Sequence, residues 1–307
     1  MDGATGGILR HATTELLEIA YEESGPPDGT PVVLLHGFPY DIRSYDEVAA
    51  LLATERLAAE GARVIVPYLR GYGGTRFLDA SAPRSGQQAA LAQDLLDLMD
   101  VLGIDRAIVG GYDWGGRTAC IAAALWPERI SGLVTVDGYS IQNIAVSSEP
   151  EPAVVERAFW YQYYFHSERG RRGLEQNRNE LCELLWSDWS PTWQFGHDAF
   201  RRTAKSFENA DFVEVVLHSY RHRYGLVAGD PRYDELESRL AQQPRITVPT
   251  VICEPGSDGL PEPESWDEAD FFTGQVERRR VAIAGHNLPQ QCPAEFADAV
   301  RSLLRFT

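Results

Sequence analysis

Asp113 is the residue of this 307-residue chain with the clearest capacity for covalent chemistry. It stands in the run Gly-Tyr-Asp-Trp-Gly at residues 111–115, after an apolar stretch at 107–109 and before a helix-forming segment. A strand, a glycine-flanked residue and a helix form a nucleophile elbow, whose sharp turn exposes one reactive side chain. We expect the flanking glycines to permit that turn. A helix-capping aspartate would not need glycine on both sides, so the pattern predicts a carboxylate nucleophile.

A carboxylate nucleophile is suited to reactions that a serine performs poorly. Its ordinary pKa is about 3.9, so it is ionised at neutral pH and needs no base to activate it. It can displace a leaving group from a saturated carbon and form an alkyl ester, which water can then cleave at the carbonyl carbon. A serine would form an ether, which water does not readily cleave. The sequence therefore predicts substitution at an sp3 carbon, followed by ester hydrolysis.

The second step requires a base for the water molecule. His286 follows the last predicted strand in a Gly-His-Asn run, and Asp258 lies in a polar turn after the strand before it. We predict that Asp258 orients His286 and that His286 activates the water. Glu254, Asp267 and Asp270 are the alternative acids.

The same step requires donors for an oxyanion, and backbone amides can supply them. Phe38 follows Gly37 in the run His-Gly-Phe-Pro at 36–39, where a glycine turn would let its amide point inward. Trp114 directly follows the nucleophile, so its amide is the second predicted donor. Three separate strand ends then supply nucleophile, acid and histidine in that order along the chain, which is more specific than any single motif.

Alternating strands and helices must position these residues. The predicted strands lie at 15–22, 31–35, 63–67, 104–110, 131–136, 247–253 and 280–284, and the helices at 41–60, 85–102, 117–126 and 293–306. Continuous apolar strands separated by helices are typical of an α/β fold with a mostly parallel, doubly wound sheet. Active sites of such sheets lie beyond the carboxyl ends of the strands. Residues His36, Arg70, Asp113 and Asp137 all follow such ends.

The strand pattern stops between about residues 139 and 245, where the chain is polar, helix-compatible and rich in aromatic residues. We predict a helical lid inserted into the sheet domain. The predicted organisation is a first core part at 1–138, a lid at 139–245 and a second core part at 246–307. Most lid aromatics are expected to pack the lid against the core.

Composition limits the partners. The 28 basic and 45 acidic residues give a net charge of −17, which argues against nucleic acid and anionic membranes. The sequence has no apolar run long enough for a membrane span, and residues 1–10 lack the pattern of a signal peptide. Four scattered cysteines predict reduced, buried thiols and a cytoplasmic location. We expect a small-molecule substrate and a monomer or homodimer.

Taken together, these motifs resemble the α/β-hydrolase superfamily and, within it, the epoxide hydrolases. The matching segments are 36–39 (His-Gly-Phe-Pro), 70–73 (Arg-Gly-Tyr-Gly), 111–116 (Gly-Tyr-Asp-Trp-Gly-Gly) and 285–286 (Gly-His). The resemblance implies the α/β-hydrolase fold, a cis peptide before Pro39 and hydrolysis of an epoxide to a vicinal diol without a cofactor. No metal is expected, because His218 and His222 have helical spacing but lack the acidic partner of an HExxH motif.

The resemblance extends to two lid tyrosines. Epoxide hydrolases protonate the epoxide oxygen with a pair of lid phenols, one in a Tyr-Gln-x-Tyr-Phe run and one in a Trp-Tyr-Arg run. The corresponding residues here are Tyr161 and Tyr220, and Trp160 is a candidate additional donor. A phenol, with a pKa of about 10, suits an alkoxide leaving group. The aromatic lid suggests an apolar or aromatic epoxide.

The sequence departs from that family at Tyr112, where histidine is common, and at Ser219, where tryptophan is common; both predict an altered pocket. Haloalkane dehalogenases share the displacement chemistry and resemble the chain at Trp114, whose indole can hold a departing halide. Fluoroacetate dehalogenases share His-Gly-Phe-Pro and Arg117 but place arginine at the position of Trp114. A halide needs no proton donor, so the tyrosine pair favours the epoxide. The alternative from another class is a non-catalytic ligand-binding protein, which would tolerate damage to the triad.

Overall fold

The fold is described from a computed structural model of the chain, which describes residues 7–54, 61–261 and 270–305. The predicted helices at 41–60 and 293–306 therefore end outside the described residues, and the alternative acid Asp267 also lies outside them.

One sheet forms the centre of the described structure. Its strands are β1 (Ile8–Thr13), β2 (Leu17–Ser24), β3 (Thr30–Leu35), β4 (Ala62–Pro67), β5 (Arg76–Phe77), β6 (Ala107–Gly111), β7 (Ile130–Val136), β8 (Thr250–Pro255) and β9 (Val276–Val281). They lie in the order β1-β2-β4-β3-β6-β7-β8-β9, with β5 paired to β2. From β4 to β9 neighbouring strands are parallel, whereas β1, β2 and β5 pair antiparallel. The predicted mostly parallel α/β sheet is confirmed.

Helices cover both faces of this sheet and form the segment between β7 and β8. The helices are α1 (Asp46–Thr54), α2 (Gln88–Val101), α3 (Asp113–Leu125), α4 (Ala153–Ala158), α5 (Trp160–His166), α6 (Glu168–Gln176), α7 (Arg178–Trp189), α8 (Gly196–Ala204), α9 (Phe212–His222), α10 (Asp234–Leu240), α11 (Leu288–Gln291) and α12 (Pro293–Leu304). Helices α4–α10 separate β7 from β8 in the chain, and the predicted domain boundaries at 138/139 and 245/246 fall in the two flanking connections.

The strand order places the candidate catalytic residues beside one crevice of the sheet. The chain passes from β3 to β4 on one side, then returns across β3 to β6, so the direction of winding changes between β3 and β6. Ligands of open α/β sheets bind at such a point, beyond the carboxyl ends of the strands. Leu35 at the end of β3 is the register partner of Gly111 at the end of β6. The loops after these strands, carrying Phe38 and Asp113, therefore begin side by side.

Two strand predictions were wrong, both at the margins of the sheet. The segment predicted as an edge strand at 15–22 is β2, which pairs with β4 and β5 and is covered on its outer side by β1. Strand β1 is the true edge, and five of its six residues are exposed, so it has no alternating burial pattern to detect. The last strand runs from Val276 to Val281 and not from 280 to 284. It carries three arginines, as a solvated strand at the margin of a sheet can.

Other features agree with the sequence or limit the partners. All four cysteines are free and buried, as expected. The peptide bond between Phe38 and Pro39 is cis, as the resemblance implied. No helix among the described residues has the length and apolar character to cross a membrane.

Asp41 links the lid to the core. Its side chain is 1% exposed and accepts hydrogen bonds from the Arg43 backbone N–H at 3.0 Å and from the Thr203 hydroxyl of α8 at 2.8 Å. Burial raises the pKa of Asp41 to about 7, although both hydrogen bonds act in the opposite direction. A buried carboxylate at this contact therefore opposes folding at neutral and alkaline pH.

We expect Asp41→Asn to stabilise the protein more strongly as the pH rises. A carboxyl whose pKa is higher in the folded than in the unfolded state removes stability as the pH rises between the two values, here from 3.8 to about 7. The loss should be on the order of a few kcal/mol, and asparagine removes it while keeping an oxygen acceptor. Thermal unfolding at about pH 5 and about pH 8 should show the larger gain in Tm at the higher pH. Equal gains at both pH values would contradict this prediction.

Candidate active site

The nucleophile elbow depends on Asp113 itself as well as on its glycines. Asp113 has a φ of +52° and begins α3, whereas Gly111 and Gly115 are not in the left-handed region. The expectation that the glycines make the turn therefore needs correction: they clear space for it. A Cβ on Gly115 would lie 2.0 Å from the Leu35 carbonyl oxygen, and one on Gly37 would lie 2.3 Å from Asp113 Oδ1. A strained backbone at a single aspartate is typical of a functional position.

The structure brings the three predicted triad residues together. The Oδ2 atom of Asp258 lies 2.9 Å from His286 Nδ1, and the Oδ2 atom of Asp113 lies 3.5 Å from His286 Nε2. The side chains of Asp113 and His286 are 15% and 9% exposed, so both are largely but not completely buried. Of the alternative acids, Glu254 instead pairs with Arg278 at 3.0 Å. This arrangement leaves Nε2 facing the nucleophile and Nδ1 held by an acid.

The charge state of His286 is set by opposing influences. Burial lowers its pKa, but the charge of Asp258 and the interactions with Asp113 outweigh burial and raise the pKa well above 6.5. With a free Asp113 carboxylate, His286 is therefore held as the imidazolium. Loss of the negative charge on Asp113 would remove part of that support and lower the pKa of His286, so more of the imidazole would be deprotonated and able to accept a proton.

A backbone amide holds one oxygen of the Asp113 carboxylate. The Phe38 N–H donates to Asp113 Oδ1 at 2.7 Å, which leaves Oδ2 without a backbone donor. His36 positions this loop, because its Nε2 accepts from the Leu69 N–H at 3.1 Å while its Nδ1 lies 3.0 Å from the Gly37 carbonyl oxygen. Burial lowers the pKa of His36 to about 4, so it stays neutral and can make both contacts.

Trp114, the second predicted oxyanion donor, lies in the first turn of α3, where backbone N–H groups have no partner within the helix. No hydrogen bond from its amide to Asp113 occurs among the described residues, so that role stays a prediction. Its indole makes a contact that sequence reasoning missed: Nε1 donates to the Tyr220 hydroxyl at 3.2 Å.

Both predicted lid tyrosines are buried close enough to Asp113 for its charge to act on them. Tyr161 is 3% exposed and Tyr220 is 1% exposed, and their ring centres are 5.3 Å apart. Burial, followed by the charge of Asp113, raises the pKa of Tyr161 to about 12. Burial, the Tyr161 phenol and Asp113 raise the pKa of Tyr220 well above 10. Both phenols therefore remain protonated at neutral pH and can donate.

A second lid contact was also missed. The Gln162 side-chain amide donates to the Tyr161 hydroxyl at 2.8 Å, and the Tyr224 hydroxyl donates to the Gln162 oxygen at 2.9 Å. The glutamine follows Tyr161 in the motif that identified the tyrosine, so its presence was visible but its contact was not. Trp160, predicted as an additional donor, is 39% exposed and packs on the Tyr161 and Tyr164 rings. The structure does not bring its indole to the triad.

The remaining residues at strand ends have other partners. Arg70 is 1% exposed and forms a two-point ion pair with Asp94, so it is structural. A carboxylate oxygen of Asp137, a carboxylate oxygen of Asp258 and a ring nitrogen of His286 all lie within 4.8 Å of one another. His218 forms hydrogen bonds with the backbone, and its Nδ1 atom accepts one from the Gly86 N–H at 3.1 Å. A surface pocket of about 450 Å³ at residues 175–180 is lined by none of the predicted catalytic or substrate-binding residues.

Comparisons with known proteins were consistent with this geometry. The family model of the alpha/beta hydrolase fold matches residues 30–289. A crystal structure from Klebsiella pneumoniae, provisionally named an epoxide hydrolase, is 45% identical, with a TM-score of 0.93 and 97% of each chain covered. An epoxide hydrolase of Caballeronia sordidicola is 34% identical over 342 aligned positions, covering 99% of this chain and 93% of that protein.

Other relatives match over a shorter region. A fluoroacetate dehalogenase from Burkholderia is 35% identical over 138 residues, which is 44% of this chain and 42% of that protein. The chain likewise spans 40% of an epoxide hydrolase from Siraitia grosvenorii at 33% identity. These partial matches include both epoxide hydrolases and a dehalogenase, so they leave the leaving group undecided.

Proposed function

The chain belongs to the α/β-hydrolase fold family, and within that family we propose that it is an epoxide hydrolase that opens an epoxide to a vicinal diol. The observation that carries this proposal is the pair of buried phenols, Tyr161 and Tyr220, facing the Asp113 carboxylate. An epoxide needs both a nucleophile at carbon and an acid at oxygen, and this site offers both.

In the first step, Asp113 Oδ2 attacks an epoxide carbon. The carbon–oxygen bond of the ring breaks, its electron pair goes to the epoxide oxygen, and Tyr161 or Tyr220 donates a proton to that oxygen. Oδ2 is the attacking atom because Oδ1 is held by the Phe38 N–H at 2.7 Å. The products of this step are an alkyl ester between Asp113 and the hydroxylated substrate, and a tyrosine phenolate. The phenolate regains its proton from the imidazolium of His286, which leaves His286 neutral for the second step.

In the second step, His286 Nε2 removes a proton from water, and the resulting hydroxide attacks the Asp113 carboxyl carbon. The negative charge develops on Oδ1, which the Phe38 N–H already contacts, and the Trp114 amide is the second proposed donor. Collapse of this intermediate releases the diol, whose second oxygen takes a proton from His286, and leaves Asp113 as a carboxylic acid. That acid gives its proton to His286, which restores the carboxylate and the imidazolium. Asp258 orients the imidazole and stabilises its charged form.

The order of the steps follows from the charge of Asp113. Its negative charge in the free enzyme supports the imidazolium form of His286. Esterification neutralises that charge, so the pKa of His286 falls and the imidazole becomes a base only when an ester is present. Water is thus activated after the covalent step.

Replacing both lid tyrosines distinguishes the two leaving groups. Tyr161→Phe and Tyr220→Phe should each lower kcat/KM for an epoxide, and the double variant should lower it by about 10² to 10⁴, the usual contribution of a positioned acid. The rate of alkyl-halide turnover, if any, should change little because a halide leaves without a proton. Tyr163→Phe, which removes a phenol that is 37% exposed on the lid, is the control.

The second candidate function, dehalogenation, is favoured by the Trp114 indole and by the partial match to a dehalogenase. It would gain support if the double variant lost epoxide and halide turnover equally, or if only halides were consumed. In the proposed enzyme the Trp114 indole instead holds Tyr220 in place for the epoxide oxygen.

A further inference from the structure

Two arginines lie near the ring of Trp114, beside the proposed nucleophile. The Arg117 guanidinium carbon lies 4.9 Å from the centre of the Trp114 ring, and that of Arg223 lies 6.0 Å from it. Arg117 is one turn beyond Asp113 on α3, and Arg223 directly follows lid helix α9, three residues after Tyr220. The core and the lid each place one cation at the same indole.

Neither guanidinium forms a salt bridge with any acidic group that the structure describes. The Nε atoms of Arg117 and Arg223 are both buried and have no hydrogen-bond partner. The Arg117 Nη1 atom donates to the neutral Gln142 side chain at 3.0 Å. None of the ion pairs in the described parts of the chain includes Arg117 or Arg223. Buried donors and buried charges in proteins are normally satisfied, so this pair requires an explanation.

The acidic groups near the pair are engaged elsewhere. Glu237, which is close enough for Arg117 to lower its pKa, accepts from the Gln88 side chain and the Ala89 N–H, each at 3.2 Å. Asp113 contacts the Phe38 amide and His286. Burial, followed by the charge of Arg223, lowers the pKa of Arg117 to about 9. The two arginines therefore repel one another in a partly buried site that an anion would stabilise.

We propose that Arg117 and Arg223 bind a carboxylate of the substrate, so that the epoxide presented to Asp113 belongs to an epoxy acid. This inference rests on the proposed function and names its substrate class. A guanidinium matches the planar carboxylate and can bind its two oxygens through parallel N–H donors. The Trp114 ring and the lid aromatics would contact the apolar or aromatic remainder of the same molecule.

The lid side of the pair would also couple substrate binding to catalysis. Arg223 and Tyr220 lie on adjacent turns at the end of α9, and the Trp114 indole contacts Tyr220 directly. A carboxylate bound by Arg117 and Arg223 would therefore lie close to Tyr220, one of the two phenols proposed to protonate the epoxide oxygen. Its position would fix which epoxide carbon faces Asp113.

The anion site is tested without turnover by calorimetric titration with hydrocinnamate and its neutral amide, hydrocinnamamide. The wild-type protein should bind hydrocinnamate at least about tenfold more tightly, as one charge-assisted contact requires. Arg223→Gln and Arg117→Gln should each abolish this preference. Arg157→Gln, which removes an exposed lid arginine, should keep it. Equal affinities in the wild type, no binding of hydrocinnamate, or a preference that survives in Arg223→Gln would overturn the proposal.

Turnover of a matched pair of epoxides separates this inference from the proposed function. Phenylglycidate should be hydrolysed with a kcat/KM at least about tenfold above that of phenylglycidamide, and Arg223→Gln should remove the difference through KM. Equal turnover of both by the wild type would refute the carboxylate site and leave epoxide hydrolysis standing. Preferential binding of hydrocinnamate with no opening of either epoxide would refute the proposed function and leave the anion site standing.

Discussion

Asp113→Ala should lower epoxide hydrolysis by at least about 10⁴-fold, because it removes the atom that forms the covalent bond. The remaining groups, two phenols and an imidazole, can polarise an epoxide and activate water, but they lie around a position that no nucleophile then occupies. The loss should appear in kcat, since the lid residues that bind the substrate are unchanged. Steady-state kinetics with the preferred epoxide measures it.

The matched control is Asp188→Ala, which removes an exposed aspartate of the lid and should leave kcat within about twofold. Thermal unfolding should show that Asp113→Ala is folded. A variant that retained a tenth of the wild-type kcat would refute the nucleophile assignment.

His286→Ala should have the second largest effect, with kcat lowered by about 10³-fold or more at neutral pH. The first step does not need the imidazole, so the epoxide should still react once with Asp113. The rate of that single turnover should remain within about tenfold of the wild type, while ester hydrolysis stops. Rapid-quench measurements on stoichiometric enzyme separate the two steps.

The pH dependence of the second step carries further information. His286 acts as a base only when deprotonated, and its pKa in the free enzyme is raised above 6.5. Ester hydrolysis in the wild type should therefore accelerate as the pH rises through the pKa of His286 in the ester form. Deprotonation of the phenols should cause no loss of activity below about pH 10, because the pKa of Tyr161 is about 12.

Asp258→Asn should slow the second step selectively, because it removes the carboxylate that orients the imidazole and stabilises its protonated form.

Asp113 and Asp258 could be predicted from the sequence because each follows a strand that is readable as an apolar run. His286 was placed by the short apolar segment at 281–284, which begins at the last residue of β9. The elbow strand β6 is buried at every position, and its glycines and Asp113 are adjacent in the chain. Asp258 follows β8 and His286 follows β9, and parallel strands bring their carboxyl ends to one edge of the sheet. The lid tyrosines were found differently, from the similarity of short runs to those of a known family.

Other parts of the site depend on contacts between segments that are distant in the chain. The Trp114 indole meets Tyr220 across a separation of 106 residues, and the arginine pair joins α3 to the end of α9. No local pattern predicts either contact. Trp160 was assigned a role because it is aromatic and precedes Tyr161, but adjacent residues on a helix point in different directions, and it is exposed. Strand β9 was displaced in prediction because its arginines mask the expected apolar run.

The most direct test of the covalent mechanism is mass spectrometry of His286→Ala after mixing with an epoxide that the wild type hydrolyses. We expect the intact mass to rise by one substrate molecule, the added mass to map to the peptide that contains Asp113, and the double variant Asp113→Ala/His286→Ala to stay unlabelled. An unlabelled His286→Ala protein, or an adduct on any other residue, would contradict attack by Asp113.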